Sequence, residues 1–357
     1  MYPALAVLQA LENKTESVLW VGSRSGMEEN LLSNYHFPYT SISAAGIHGI
    51  NPIHILKNIR ELINGWRESR AILKDFRPDI IFYTGGYVGV PMAFAARKFS
   101  SIVFVPDIEP GLALKAIMRK ANAIAVSAEE SLQYIHKKEI VRFTGYPLRK
   151  EIKGWTRKDG RSHFNIPQNA KVLFVYGGSK GARSINQALN PILDKLLDQF
   201  HVIHITGEDN WQIIQANENV QKSLKSQKYH PYPFLHADMG AAFSAADLVV
   251  CRAGASTIGE LPFFGLPAIL VPYPHAWRYQ YQNADYLAKN GAAEIVRDQD
   301  LAQELFEKVM NIFEDENKLA LMKNKMQSLS VEGASQSIAK LILDFGQVKQ
   351  ADGGEND

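Results

Sequence analysis

The residues best placed for chemistry lie in two glycine-rich turns, YTGGY (83–87) and YGGSKGAR (176–183), and in the run CRAGASTIGELPFFGLPAILVPYP (251–274). Each turn follows an apolar strand pattern, IIFY or VLFV. Glycines there let a strand turn sharply into a helix and leave backbone N–H groups facing an anion. In the second turn, the backbones of Gly177 and Gly178 and the hydroxyl of Ser179 are candidate phosphate contacts. The alternative is a tight strand–helix turn with no ligand. Neither turn matches the dinucleotide fingerprint or the GxxxxGK[ST] phosphate loop, because Lys180 precedes the helix.

Ala253–Gly254–Ala255 reads as another turn, with Ser256 and Thr257 available as cap or phosphate donors. Glu260 has two readings. A carboxylate there can accept two hydrogen bonds from vicinal hydroxyls and so hold a ribose. It also completes a capping box, S/T-x-x-E, with Thr257. After the next strand pattern, PYPHAWRYQYQNA (272–284) gathers His275, Arg278, Gln280 and Asn283, groups able to read sugar hydroxyls and neutralise a diphosphate. Trp277, Tyr279 and Tyr281 read equally as packing. Asp107 and Glu109, in FVPDIEPG, could divide acid and base work or cap a helix. Ten His and one Cys form no clustered ligand pattern, so no tight metal site is expected.

Such groups need a scaffold of strand ends. Apolar runs alternate with helical stretches, which implies a mainly parallel α/β sheet covered on both faces, repeated in two halves. Helices are expected at 3–12, 26–33, 52–76, 110–119, 283–290 and 335–345. Strands are expected at 17–23, 39–42, 80–83, 102–105 and 123–127, then 172–176, 201–206, 229–232, 248–251, 268–271 and 293–295. The expected division is an N-terminal domain over 1–153, a linker over 154–170 and a second domain over 171–334. A C-terminal helix over 335–345 packs back on the first domain, and a disordered tail occupies 346–357. Ligands in open parallel sheets sit beyond the carboxyl ends of the strands, so a cleft between the domains is the expected site.

At 357 residues, two domains are the first expectation. The formal charge of +2 argues against a nucleic-acid binder. Residues 1–150 hold 18 Lys+Arg against 13 Asp+Glu, a net +5, so the remaining 21 and 24 give −3. That asymmetry suits a polyanionic substrate or an acidic membrane surface, and also a plain fluctuation of surface charge. The single Cys251 fits a reducing compartment. No run of about 18 apolar residues suggests a spanning helix, and the start lacks the basic leader of a signal peptide. In GIHGINPIHIL (46–56), isoleucines beside Lys57 and Arg60 could rest on lipid headgroups or begin a buried helix face.

Together TGGYVGVP, GYPLR, GGSKGA, the 251–274 block and HAWRYQYQNA resemble the peptidoglycan N-acetylglucosaminyltransferases of glycosyltransferase family 28. The resemblance spans roughly residues 2–345. It implies two Rossmann-like domains facing a cleft, the glycosyltransferase B architecture. It also implies inverting transfer of N-acetylglucosamine from UDP-GlcNAc to an undecaprenyl-pyrophosphate-linked muramyl-pentapeptide, with no essential metal or other cofactor. By matching motif positions, Ser179 meets the donor diphosphate, Glu260 the ribose and Gln280 the GlcNAc hydroxyls, while Arg149 lies near the cleft. Location at the cytoplasmic membrane face follows, with other cell-wall synthesis proteins as partners.

Three departures qualify that expectation. The family opens with a strand and GGTGGHxxPALA, whereas this sequence begins MYPALA, as expected of a start site placed too far downstream. Losing that strand would leave neighbouring sheet edges unpaired. FVPDIEPG replaces the family's HEQN-containing loop, so Asp107 and Glu109 inherit no role from it. Finally, GNPxR appears as GYPLR and the paired glutamines as Tyr279-Gln280, which leaves room for another acceptor or donor sugar. A catalytically inactive UDP-sugar binder is the alternative from a different class.

Overall fold

A computed structural model describes residues 1–24, 37–45, 52–178, 181–216, 218–276 and 278–352. They divide into two compact units, the first made of residues 1–106, 110–147 and 333–357, the second of 107–109 and 148–332. The expected helix at 26–33 and most of the isoleucine-rich 46–56 segment lie outside the described residues.

In the first unit the order is α1 (Tyr2–Leu11), β1 (Trp20–Ser23), β2 (Tyr39–Ile42), α2 (Pro52–Phe76), β3 (Ile80–Tyr83), α3 (Gly89–Ala95), β4 (Ser100–Val105), α4 (Leu112–Met118), β5 (Ala123–Val126) and β6 (Val141–Phe143). β1 and β2 form one parallel pair, and β3-β4-β5-β6 form a separate parallel sheet. Residues 102–105 of β4 are fully buried, as a strand covered on both faces must be. The sequence reading missed β6, where Arg142 and Phe143 are exposed and give no apolar run.

The second unit contains α5 (Arg157–His163), β7 (Val172–Tyr176), α6 (Arg183–Leu189), β8 (His201–Ile205), β9 (Tyr229–Tyr232), α7 (Met239–Ala245), β10 (Leu248–Cys251), α8 (Thr257–Phe264), β11 (Ala268–Leu270), α9 (Tyr279–Lys289), β12 (Ala293–Ile295) and α10 (Leu301–Glu314). Its parallel sheet has the order β12-β11-β10-β7-β8-β9. Apolar clusters cover both faces: Phe174, Phe243 and Leu261 belong to one, Val175, Leu193 and Phe313 to the other.

Residues 154–170 are not a linker. Thr156 caps α5 by accepting from the Asp159 N–H, and Arg161 is fully buried. Its guanidinium reaches Asp247 at 3.0 Å and donates to the carbonyls of Ala245, Pro167 and Gln168 at 3.2, 3.1 and 2.5 Å. The polar composition that reads as a linker therefore has tertiary partners. The last helix, α11 (Ala334–Asp352), belongs to the first unit and packs on α1. It extends past the expected end at 345, continuing through Gly346 to Asp352.

Candidate donor-binding site

Three neighbouring parallel strands in the second unit deliver the candidate residues. Tyr176 of β7 is in register with Cys251 of β10, and Cys251 with Leu270 of β11. The loops that follow (177–182, 252–256 and 271–278) therefore emerge side by side at the carboxyl edge. Chain order reverses between β7 and β10, the switch point where open α/β sheets leave a crevice.

Glycines in these loops have different reasons to be there. A Cβ on Gly177 would lie 2.2 Å from the Ala182 nitrogen, and one on Gly181 would lie 2.3 Å from the Thr206 carbonyl oxygen. Gly178 has φ of 92°, which L side chains avoid. Gly254 is unlike them: its φ is not positive, and a Cβ there would meet nothing within 4 Å. The fold does not need that glycine, but a ligand approaching the backbone would.

Behind Gly254, α8 begins at Thr257 with Ser256 as its N-cap, one residue earlier than a capping box from that threonine requires. The Thr257 hydroxyl instead donates to the Gly254 carbonyl at 2.6 Å. Ser256 donates its hydroxyl to Glu260, which is only 9% exposed. Burial pushes the Glu260 carboxyl above the usual range, while the Ser256 hydrogen bond and the Arg149 charge pull it back. The capping-box reading is thus replaced by a buried carboxylate held from below by a serine. Arg149 comes from the start of the second unit and acts on the same carboxylate. Burial also raises the Tyr176 hydroxyl and lifts the Cys251 thiol to about 12, so Cys251 is an inert floor.

The loop after β11 is braced by residues that the sequence reading passed over. Arg252 donates to Ser184 at 2.7 Å and to the Val271 carbonyl at 3.1 Å, pairs with Asp298, and lies 5.2 Å from the Tyr273 ring centroid. A cation directly after a buried strand was the only signal for it. Gln280 accepts from the Tyr273 N–H at 2.8 Å, which orients its side chain and leaves the amide nitrogen for a ligand. His275 is exposed, edge-on to Tyr273.

Asn283 and Arg278 turn away from that group. Asn283 is fully buried; it donates to Asp107 at 2.8 Å and to the Ala253 carbonyl at 3.1 Å, and accepts from the Ile108 N–H at 3.0 Å. Burial raises the Asp107 carboxyl and the bond from Asn283 lowers it. Arg278 grips Glu109 through two bonds of 2.5 and 2.6 Å, with Glu109 1% exposed. Glu109 spends its charge on that pair. Ser179, Lys180 and Trp277 lie outside the described residues. Among the described residues, no group of three or more His, Cys, Asp or Glu could hold a metal ion.

Comparison with known proteins resolves what this arrangement belongs to. Residues 1–126 match the glycosyltransferase family 28 N-terminal domain, and residues 172–340 match the family 28 C-terminal domain. The chain belongs to glycosyltransferase family 28. It is 33% identical to the UDP-N-acetylglucosamine--N-acetylmuramyl-(pentapeptide) pyrophosphoryl-undecaprenol N-acetylglucosamine transferase of Roseiflexus sp. (strain RS-1), covering 96% of this chain and 91% of that one. The enzyme of the same name from Desulforudis audaxviator (strain MP104C) is 34% identical over 96% of this chain and 94% of its own. Acinetobacter baumannii MurG, a crystal structure, superposes with a TM-score of 0.73 at 26% identity, covering 96% and 95% of the two chains. The two Rossmann-like units expected from the motifs are those of the family's B architecture.

Proposed function

We propose that this family 28 member is an inverting transferase. It moves N-acetylglucosamine from UDP-GlcNAc to the 4-hydroxyl of MurNAc in undecaprenyl-pyrophosphoryl-MurNAc-pentapeptide. The observation that carries the reading is the end-to-end likeness to transferases of that name, combined with the bare Gly254 backbone beside the buried, serine-held Glu260. In this reading Gly177, Gly178 and Ser179 meet the donor diphosphate, together with Gly254, Ser256 and Thr257 at the start of α8. Glu260 takes the ribose hydroxyls, and the Gln280 amide a sugar hydroxyl. Arg149 and His275 line the approach. Arg278 and Asn283 fix the 107–109 segment.

The acceptor oxygen attacks C1 from the face opposite UDP. The C1–O bond to the diphosphate breaks as the new glycosidic bond forms, and the hydroxyl proton passes to a base. Backbone N–H groups and the positive end of α8 stabilise the departing UDP oxygen. UDP-GlcNAc is a co-substrate, and the step needs no metal or other cofactor. Of the two acids beyond β4, Asp107 is the better base candidate, because burial raises its pKa and so strengthens the carboxylate as a proton acceptor, while Glu109 is bound to Arg278.

The same reading places the protein peripherally at the cytoplasmic face of the membrane, in contact with anionic lipid and with other cell-wall synthesis proteins. Its supports are the +5 balance of residues 1–150 and a lipid-linked acceptor. No described helix is long and apolar enough to cross a membrane. The test offers UDP-GlcNAc with the lipid-linked muramyl-pentapeptide beside diacylglycerol as competitor. Mass spectrometry should find the disaccharide product on the former alone. Transfer only to diacylglycerol would refute the acceptor, and UDP binding without transfer to either would refute the enzyme.

A further inference from the structure

Four adjacent strand ends of the second unit, those of β12, β11, β10 and β7, converge on one guanidinium. Arg252 is the first residue after β10. One of its terminal nitrogens donates to Asp298 and, at 3.1 Å, to the Val271 carbonyl; the other donates to the Ser184 hydroxyl at 2.7 Å. Ser184 in turn donates to the Asp298 carboxylate at 2.7 Å. Asp298 stands just beyond β12, Val271 just beyond β11, and Ser184 in the first turn of α6, which follows β7. Both side-chain partners are fixed points. Beside Asp298, the Val296 N–H bonds to the Leu270 carbonyl at 3.0 Å, and Arg297 pairs with Asp300 at 2.5 Å before the buried Leu301 of α10. Beside Ser184, the buried Asn186 donates to the Thr206 carbonyl at 2.8 Å.

The held guanidinium meets the loop after β11 through one ring. Its carbon lies 5.2 Å from the Tyr273 ring centroid, a cation–π contact that gains strength where water is excluded. The Arg252 side chain is only 11% exposed. Tyr273 passes its position on through its backbone: its N–H donates to the Gln280 side-chain oxygen at 2.8 Å, and its carbonyl accepts from the Ala276 N–H at 3.1 Å. A shift of the ring therefore moves both the Gln280 amide and the turn that carries His275. Three of the five guanidinium N–H groups are committed to Asp298, Val271 and Ser184, which makes Arg252 a brace and not a diphosphate ligand. Asp298 supplies the opposite charge without which so enclosed a cation would be drawn toward water.

We infer, taking Gln280 as the sugar contact assigned above, that Asp298 is a positioning residue for the donor sugar. With Ser184 it fixes the Arg252 head, Arg252 fixes the Tyr273 ring, and the Tyr273 N–H sets the Gln280 amide. Asp298 thus governs which sugar is held without touching it. A polar cluster that only tied the strand ends together would stabilise the fold and leave the preference for a sugar unchanged.

The test titrates the full chain with UDP and with UDP-GlcNAc, so that no acceptor is needed, in the parent, Asp298→Asn, Gln280→Ala and the double variant. Asparagine keeps the shape and an acceptor oxygen for Ser184 while removing the charge that holds Arg252. Asp298→Asn should bind UDP within about twofold of the parent and UDP-GlcNAc about tenfold more weakly, the effect of one misplaced hydrogen bond. Gln280→Ala should show the same sugar-selective loss, and the double variant no further loss, because both changes act through one contact. Tyr273→Leu supplies a second arm that leaves the ion pair whole: it keeps the N–H, removes the ring, and should reproduce the sugar-selective loss. Unchanged discrimination in Asp298→Asn or in Tyr273→Leu, beside a loss in Gln280→Ala, would overturn the relay while sparing the reading of Gln280. Losses that add in the double variant, or an equal loss of UDP and UDP-GlcNAc in Asp298→Asn, would overturn it in favour of a purely structural role. Gln280→Ala with no sugar-selective loss would refute the reading of Gln280 itself, and the relay with it.

Discussion

Glu260→Gln separates the ribose role of this residue from its structural one. The substitution keeps shape and one acceptor oxygen but removes the charge. If the carboxylate accepts from two vicinal hydroxyls, losing the charge-assisted pair costs about 2–3 kcal/mol, or roughly 30- to 150-fold in affinity. Stability moves the other way. Burial raises the folded-state pKa, so between the unfolded and folded values the native state holds more protons than the unfolded chain. Stability is therefore lost as pH rises through that window, and the amide variant, which never ionises, should equal the parent at low pH and match or exceed it at neutral pH. Calorimetric titration with UDP and with 2′-deoxy-UDP is the assay. The parent should discriminate between the two by about tenfold or more, and the variant should hardly discriminate. Unchanged UDP affinity in a stably folded variant would refute the ribose assignment. A variant that unfolds at neutral pH would refute the pKa argument.

Three further outcomes follow from the geometry. Gly177→Ala forces a Cβ onto the Ala182 backbone and should cost more than about 1 kcal/mol in urea unfolding, whereas Gly254→Ala should leave stability within about 0.5 kcal/mol yet weaken UDP binding. Asn283→Ala removes three hydrogen bonds, to Asp107, Ile108 and Ala253, and should cost about 2–4 kcal/mol, with a loss below about 1 kcal/mol counting against the 107–109 anchor. His204 is fully buried between Tyr229 and Asn186, and burial lowers its pKa to about 3. The unfolded chain takes up that proton first, so about 2–3 kcal/mol should be lost as pH falls from about 6.5 to about 4.5; a flat urea midpoint over that range would refute it.

Strand placement was legible because buried parallel strands are written as local apolar runs: of the six strands expected after residue 170, β7, β9, β10 and β12 coincide with their positions, and β8 and β11 end one residue short. The glycine turns were legible for the same reason, since a positive φ leaves a local mark. What failed to show was tertiary. Arg161 looks like a solvated linker residue until Asp247, 86 positions later, closes on it. Asn283 reads as a cleft amide, yet its partners are a strand end 176 residues away and the Ala253 carbonyl. The Thr257–Glu260 spacing fits a capping box in sequence. A one-residue shift in the helix start sends the threonine to Gly254 and gives the glutamate to Ser256.

The placement of α11 has a consequence for synthesis. Residues 148–332 form a unit whose strands are all made before α11 leaves the ribosome, whereas the unit begun at Met1 needs Ile338, Ala339 and Ile342, which are buried in it. The half encoded first is therefore the half completed last, and it holds the apolar face of α1 exposed throughout translation of the other. A stop codon anywhere before residue 334 would release a chain with one finished unit and one sticky one, an arrangement that favours proteolysis or chaperone capture over accumulation.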